Sequence, residues 1–303
     1  METILITGAT GLLGSELVPK LRSKHDLHLL IRRLDMSRTD DYFDKKLNIH
    51  VLDLEKASPD DVHKLIRDIY PDKVIHLASM TDLAQCETEI EKAYKINYLA
   101  TYYIAESCRR LGIYMLYVST DYVFDGYRGN YRENDVPRPL NYYGLTKLLG
   151  EEAIKHCLET HLIVRTSTLY GWKGRGKPSI IDIMIRNLKC GLPVEVDPRF
   201  IRTPTYVKWL ADAISRLVEK EVTGTLHLAG PRIKLIDLAY RIAKLLGRNE
   251  DLVRPVEKKY IAKRPIDSSL DTTRARELGL IHGEHEKYIM EIAREVICPV
   301  SID

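Results

Sequence analysis

The chain has 303 residues, 45% of them hydrophobic and 29% charged, with 46 Lys and Arg against 43 Asp and Glu. This supplies apolar sequence for a sizeable core and excludes a disordered chain. A formal net charge of +3 is too balanced for a nucleic-acid coat, and no run of about 18 apolar residues offers a membrane span.

The expected elements alternate from the start. Ile4–Ile6 reads as a buried strand, Leu12–Arg22 as a helix, Leu27–Ile31 and Ile49–Leu52 as strands, and Pro59–Ile69 as a helix. Lys73–Leu77 is a fourth strand, followed by one long helix near Glu89–Leu111. Tyr114–Val118 and Leu162–Thr166 are the next strands, and Thr225–Leu228 is a late one. Strands spaced by helices predict an α/β fold built on a doubly wound, parallel Rossmann-type sheet. From Gly171 onward, glycine, proline and basic residues interrupt the pattern. Residues 1–170 with about 206–230 are therefore expected to form the sheet domain. About 171–205 and 231–303 would form a smaller C-terminal substrate-binding lobe.

The cysteines are Cys86, Cys108, Cys157, Cys190 and Cys298, odd in number and never spaced C-x-x-C. Neither a disulfide framework nor a metal site is expected, and a reducing compartment follows. The N-terminus has no basic or long apolar leader, so the reading is a soluble, cytoplasmic protein. Gln85 is the only glutamine; few amides and many charges lean towards a thermophilic source.

Gly8, Gly11 and Gly14 follow the first strand directly and open the first helix. Glycines there let the backbone turn tightly and approach a pyrophosphate at the helix N-terminus, which predicts a dinucleotide site. Thr10, Leu12 and Leu13 belong to the same turn. Arg32 and Arg33 end the second strand, where an acid would hold the ribose of NADH and arginine suits the extra phosphate of NADPH. NADPH is thus expected, with Asp35 leaving NADH open and Arg38 nearby. Asp53 and Leu54 should meet the adenine, and Leu77, Ala78 and Ser79 the ribose. His76 reads as a packed strand histidine.

The fifth strand runs into Ser119-Thr120-Asp121-Tyr122, and Tyr143-Gly-Leu-Thr-Lys147 follows. Tyr and Lys four apart share one helix face. A neighbouring ammonium is expected to favour the phenolate and ease proton transfer. Thr120 can hold a substrate oxygen beside the Tyr143 hydroxyl. Together these groups suit protonation of a ketone that receives a hydride.

The stretches ITGATGLLGSEL, PDKVIHLAS, STDYVFDG, YRENDVPRPLNYYGLTKLLGE, VRTSTLYG, RTPTYVKWLAD, GTLHLAG and KRPIDSSLD resemble the extended short-chain dehydrogenases/reductases. Within these the chain is most similar to the dTDP-4-dehydrorhamnose reductase family, whose relatives include the regulatory beta subunit of methionine adenosyltransferase. The resemblance implies Tyr143 as general acid, with Lys147 and Thr120 as its partners and Asp121 and Tyr122 in the sugar pocket. It also implies NADPH-dependent reduction of a 4-keto-6-deoxy nucleotide sugar at C4. Three departures fall in substrate-facing regions. Ala84 replaces the family's aspartate in the segment Thr81–Glu87, and Pro178-Ser179 stands where an Asn-Phe pair is usual. Asp197–Thr205 looks closer to the regulatory branch.

Between Gly171 and Pro204 there are seven basic residues (Lys173, Arg175, Lys177, Arg186, Lys189, Arg199, Arg202) and three acids (Asp182, Glu195, Asp197), a difference of +4. Arginine grips phosphate bidentately, so Arg199, Arg202 and Arg264 are expected to face a nucleotide-diphosphate sugar, with Trp172 against the base. A homodimer is left open. The alternatives are a non-catalytic NADP-binding regulatory subunit and a nucleotide-sugar epimerase or dehydratase.

Overall fold

The computed structural model describes residues 1–33, 47–171 and 177–298. In chain order the strands are β1 (Thr3–Thr7), β2 (Asp26–Ile31), β3 (Asn48–Val51), β4 (Lys73–His76), β5 (Tyr114–Thr120) and β6 (His161–Thr166). The short β7 (Leu169–Tyr170), β8 (Val194–Val196), β9 (Ile201–Arg202) and β10 (Thr205–Tyr206) precede β11 (Gly224–His227), β12 (Ile233–Lys234) and β13 (Val253–Pro255). The helices are α1 (Leu12–Leu21), α2 (Pro59–Ile69), α3 (Leu83–Thr88), α4 (Ile90–Tyr94), α5 (Ala100–Leu111) and α6 (Tyr142–Cys157). They continue with α7 (Ile180–Lys189), α8 (Val207–Val218), α9 (Leu235–Leu245), α10 (Thr273–Glu277) and α11 (His285–Glu295).

Seven strands form one sheet in the order β11-β6-β5-β4-β1-β2-β3, and every pairing in it is parallel. The order reverses between β1 and β4, so a crevice opens beyond their C-terminal ends. A parallel sheet needs cover on both faces, which explains the unbroken apolar runs such as Ile4-Leu5-Ile6, each at or below 1% exposure. On one face α1 and α8 bury Leu13, Leu17, Leu21, Leu210, Ile214 and Leu217. On the other, α2, α5 and α6 bury Val62, Ile66, Ile104 and Ile154. Ser58 and Asp61 form a capping box around Pro59 that starts α2 where the sequence places it.

A separate apolar cluster joins α7, α9 and α11 through Ile185, Leu188, Ile242 and Ile289, with β8 and β13 at its edge. No helix among the described residues is long and apolar enough to cross a membrane.

The helical stretch expected near Glu89–Leu111 runs over Ile90–Leu111 and contains a π-helical turn at Lys95–Leu99. That turn carries Asn97, buried and tied by its side chain to Met80 and Thr146, so a tertiary contact overrides the helical period. One expectation changes: Cys190 and Cys298 form a disulfide, with Cα atoms 5.3 Å apart. It ties the segment after α11 to the end of α7. Scattered spacing concealed it, because 108 residues separate the two cysteines. A disulfide is compatible with a thermophilic interior as well as with an oxidising compartment. Cys86, Cys108 and Cys157 are free and buried.

Candidate active site

The glycine turn sits at the crevice. Gly8 has φ +69°, and a Cβ there would lie 2.7 Å from Ala78 N, so only glycine lets the ends of β1 and β4 come together. A Cβ on Gly14 would come within 2.6 Å of Ala9 Cα, which brings α1 directly onto the turn. The Gly11 N-cap of α1 has no side-chain cap, and the first turn carries no acid. Its leading N–H groups are thus left without a side-chain acceptor, the arrangement that suits an anion. Thr10 and Leu12 are partly exposed at this turn, whereas Leu13 points into the core and offers only its backbone.

Leu77, Ala78 and Ser79 are partly exposed beyond β4. Thr7 Oγ1 accepts from the N–H groups of Leu77 and Ala78 at 3.2 Å. It also pairs with His76 Nδ1 at 2.6 Å, while His76 Nε2 meets Thr101 at 3.0 Å. Burial and the nearby Lys147 push His76 down to about 3, so it is a neutral packing residue. Arg32 and Arg33 are exposed immediately after β2. Asp35 and Arg38 lie outside the described residues. Asp53 folds its carboxylate onto Glu55 N at 3.1 Å. Leu54, Ala57, Leu99 and Tyr103 line a cavity of about 470 Å³ together with Glu55, Lys56 and Lys95.

Thr120 ends β5, and Tyr143 and Lys147 lie in the first turns of α6. Asn141 caps that helix through Gly144 N at 2.8 Å, and Glu87 accepts from Tyr142 N at 2.8 Å. A Cβ on Gly144 would be 2.2 Å from Tyr122 O. The glycine inside Tyr-x-x-x-Lys therefore lets α6 press against the turn after Thr120, and the Thr120 hydroxyl reaches the Tyr143 phenol. Lys147 is 2% exposed. Its Nζ donates to Val118 O at 2.8 Å and lies 4.0 Å from the Tyr117 ring centroid.

The electrostatics differ from the expectation of a phenolate eased by an ammonium. Burial pushes the Tyr143 phenol well above its ordinary value, with Asp121 adding to the effect and the Thr120 hydrogen bond opposing it. Burial also lowers Lys147 to about 7, against the opposing charge of Glu151. Desolvation outweighs the Thr120 hydrogen bond at Tyr143 and the attraction of Glu151 at Lys147. The phenol is held protonated, as a proton donor requires.

The expected substrate residues separate. Asp121 is 1% exposed, and its Oδ2 accepts from Ser167 at 3.0 Å and from Ser268. Tyr122 is partly exposed, with its ring 6.0 Å from that of Tyr143 in an edge arrangement. Arg202 is 2% exposed, and its guanidinium donates to the carbonyls of Ile201, Pro265 and Ile266. Arg199 pairs with Asp197 through Nε at 2.9 Å and Nη2 at 2.6 Å. These two arginines brace the chain instead of presenting a free fork, because nearby oxygens already satisfy them. Lys177 likewise pairs with Asp82. Arg264 differs: its Nε is buried with no hydrogen-bond partner among the described residues, and its guanidinium lies 4.0 Å over the Tyr260 ring. Trp172, Lys173 and Arg175 lie outside the described residues.

Residue-type reasoning passed over Asn97, Glu87, Gly144 and the buried pair Glu151–Arg165. Glu151 follows Lys147 by one helical turn, the only sequence signal that singled it out. Among the described residues no group of His, Cys, Asp or Glu could hold a metal ion.

This strand order, joined to a Tyr–Lys helix beside the switch point, makes the protein an extended short-chain dehydrogenase/reductase. More narrowly, residues 1–297 match the family model described as the RmlD substrate binding domain, and the chain belongs to that family. It is 31% identical to methionine adenosyltransferase 2 subunit beta of Bos taurus, an alignment covering 99% of this chain and 88% of that protein. Among solved structures it is similar to a hypothetical dTDP-4-dehydrorhamnose reductase from Sulfolobus tokodaii: 38% identity, 92% of this chain and 94% of that one, TM-score 0.80. It is also similar to the dTDP-4-dehydrorhamnose reductase of Bacillus anthracis in complex with NADP: 31% identity, 97% and 99% covered, TM-score 0.81.

Proposed function

We propose that this protein is an NADPH-dependent reductase of a 4-keto-6-deoxy nucleotide sugar. The observation that carries the reading is Thr120 against a protonated, partly buried Tyr143, with Lys147 one turn further along α6. The crevice fits the cofactor: a Cβ would fill the cradle at Gly8, and the start of α1 is uncapped. Gly8, Gly11 and the leading N–H groups of α1, including those of Leu12 and Leu13, would hold the pyrophosphate. Arg32 and Arg33 would hold the additional phosphate, Asp53 and Leu54 the adenine, and Ala78 and Ser79 the ribose. A reduced nicotinamide supplies the hydride equivalent. Thr120 orients the substrate oxygen, Tyr143 gives that oxygen its proton, and the Lys147 ammonium offsets the phenolate left behind.

In this reading residues 1–170 with about 206–230 bind the cofactor, and about 171–205 with 231–303 close on the sugar. Arg264, unpaired at Nε, is the best-supported phosphate contact. An epimerase or dehydratase is less well supported. Both need a tightly held oxidised cofactor, and a dehydratase also needs a free acid beside Thr120, whereas the Asp121 carboxylate already serves Ser167 and Ser268.

A second reading is a regulatory subunit of methionine adenosyltransferase, favoured by the full-length similarity to the bovine protein. NADPH oxidation measured over dTDP-, UDP- and GDP-linked 4-keto sugars separates the two. Turnover of at least one is expected. Cofactor binding without turnover of any, together with capture of a methionine adenosyltransferase, would overturn the reductase reading.

A further inference from the structure

Glu151 and Arg165 have no part in the proposed reaction, yet their side chains are 0% and 1% exposed. Arg165 grips the Glu151 carboxylate through Nε at 3.0 and 3.2 Å and Nη2 at 2.6 Å, and Ser119 Oγ donates to it at 2.5 Å. Burying two charges costs several kcal/mol per ion, and apolar residues of equal volume often serve stability as well. The pair therefore calls for a role beyond bracing.

Its neighbours supply one. Three successive residues of β5 hold three residues of α6: Val118 O takes the Lys147 ammonium, Ser119 takes Glu151, and Thr120 meets Tyr143. Glu151 and Lys147 are four apart on that helix, with Cβ atoms roughly 5–6 Å apart. The other groups near Lys147 are neutral His76 from β4, the Tyr117 ring from β5 and the protonated Tyr143. Asp121 and Cys86 lie at the far, Tyr143 end; Arg165 reaches Glu151 from β6, and the half-buried Lys155, one turn further along α6, lies 3.9 Å from the same carboxylate. Glu151 is the acid whose charge acts on Lys147.

We propose that Glu151 and Arg165 are positioning residues that together set the charge of Lys147, Glu151 favouring the ammonium and Arg165 limiting that effect by holding and neutralising Glu151. The inference rests on Lys147 partnering Tyr143, but its charge can be measured whether or not the protein is a reductase.

The test is the titration midpoint of Lys147 in the full-length protein, followed by NMR of ¹³C-labelled lysine and assigned with Lys147→Arg. The expected order, from highest midpoint to lowest, is Arg165→Met, wild type, the double variant Glu151→Gln/Arg165→Met, then Glu151→Gln. The two single variants should lie on opposite sides of wild type, each by about one pH unit. Where a single variant does not fold, the neutral double variant decides, and its midpoint should fall below wild type. Single-variant shifts in the same direction, or a double variant unchanged from wild type, would overturn the proposal and leave the pair a brace. The pH profile of turnover should follow the same order. A wild type that reduces no keto sugar defeats the reductase reading alone, since the NMR order is read without substrate.

Discussion

The crevice at the ends of β1 and β4 and the arginines of the C-terminal part invite the same reading, polar groups suited to phosphate. Their surroundings differ. In the crevice, α1 begins uncapped and Arg32 and Arg33 are exposed. In the C-terminal part, Arg199 is paired with Asp197, Arg202 with three carbonyls and Arg232 with Asp267. A charge marks a ligand site only when the fold leaves it unsatisfied; one already met by carbonyls or carboxylates is part of the framework. Arg264 is the exception that carries the contrast into the second region.

The largest expected effect tests the crevice. Tyr143→Phe should reduce turnover by about 10²–10⁴-fold, the usual worth of a positioned acid, while NADPH affinity by fluorescence titration changes little. Equal loss of both would show that Tyr143 mainly shapes the cofactor site. Gly8→Ala should come next. The added Cβ meets Ala78 N at 2.7 Å, so cofactor binding should be lost and stability should fall by about 1–3 kcal/mol in a denaturant melt.

Lys147 gives a prediction with opposite signs. Its folded value of about 7 lies below the ordinary 10.5, so the folded state binds this proton less readily than the unfolded chain. The penalty is fully present below about 7 and fades as pH rises towards 10.5. Lys147→Met should therefore raise Tm at neutral pH while removing turnover. In the wild type, turnover should fall as pH rises through about 7, where the ammonium is lost.

Arg264→Ala and Arg202→Ala sharpen the regional comparison. Loss of one charged hydrogen bond is worth about 1.5–3 kcal/mol. For Arg264 this should appear as a KM for the nucleotide sugar raised roughly tenfold or more, with Tm unchanged. For Arg202 it should appear as a lower Tm. The reverse assignment would make Arg202 the ligand contact. The least uniform effect is reduction of Cys190–Cys298, which bears on stability alone. Closing a loop of this size is worth up to about 4.7 kcal/mol on entropic grounds, and engineered bridges often deliver less. A Tm lower by a few degrees in reductant is the expected result.

Much of this protein could be read before any contact was known. Unbroken apolar runs such as Ile4–Ile6 and Tyr114–Val118 specify parallel strands, because side chains buried on both faces leave no polar positions. Gly8 and the Tyr143–Lys147 spacing specify a turn and a shared helix face, both local consequences of backbone geometry. Tertiary structure alone decided the remainder. It paired Cys190 with Cys298 across 108 residues and put a π-helical turn at Asn97 into the long helix. It occupied Asp121 with Ser167 and Ser268 and left Arg264 Nε without a partner among the described residues. It also set the charge states, because burial raises Tyr143 and lowers Lys147. Residue order carries local geometry, but desolvation and long-range pairing depend on which distant segments come to rest against each other.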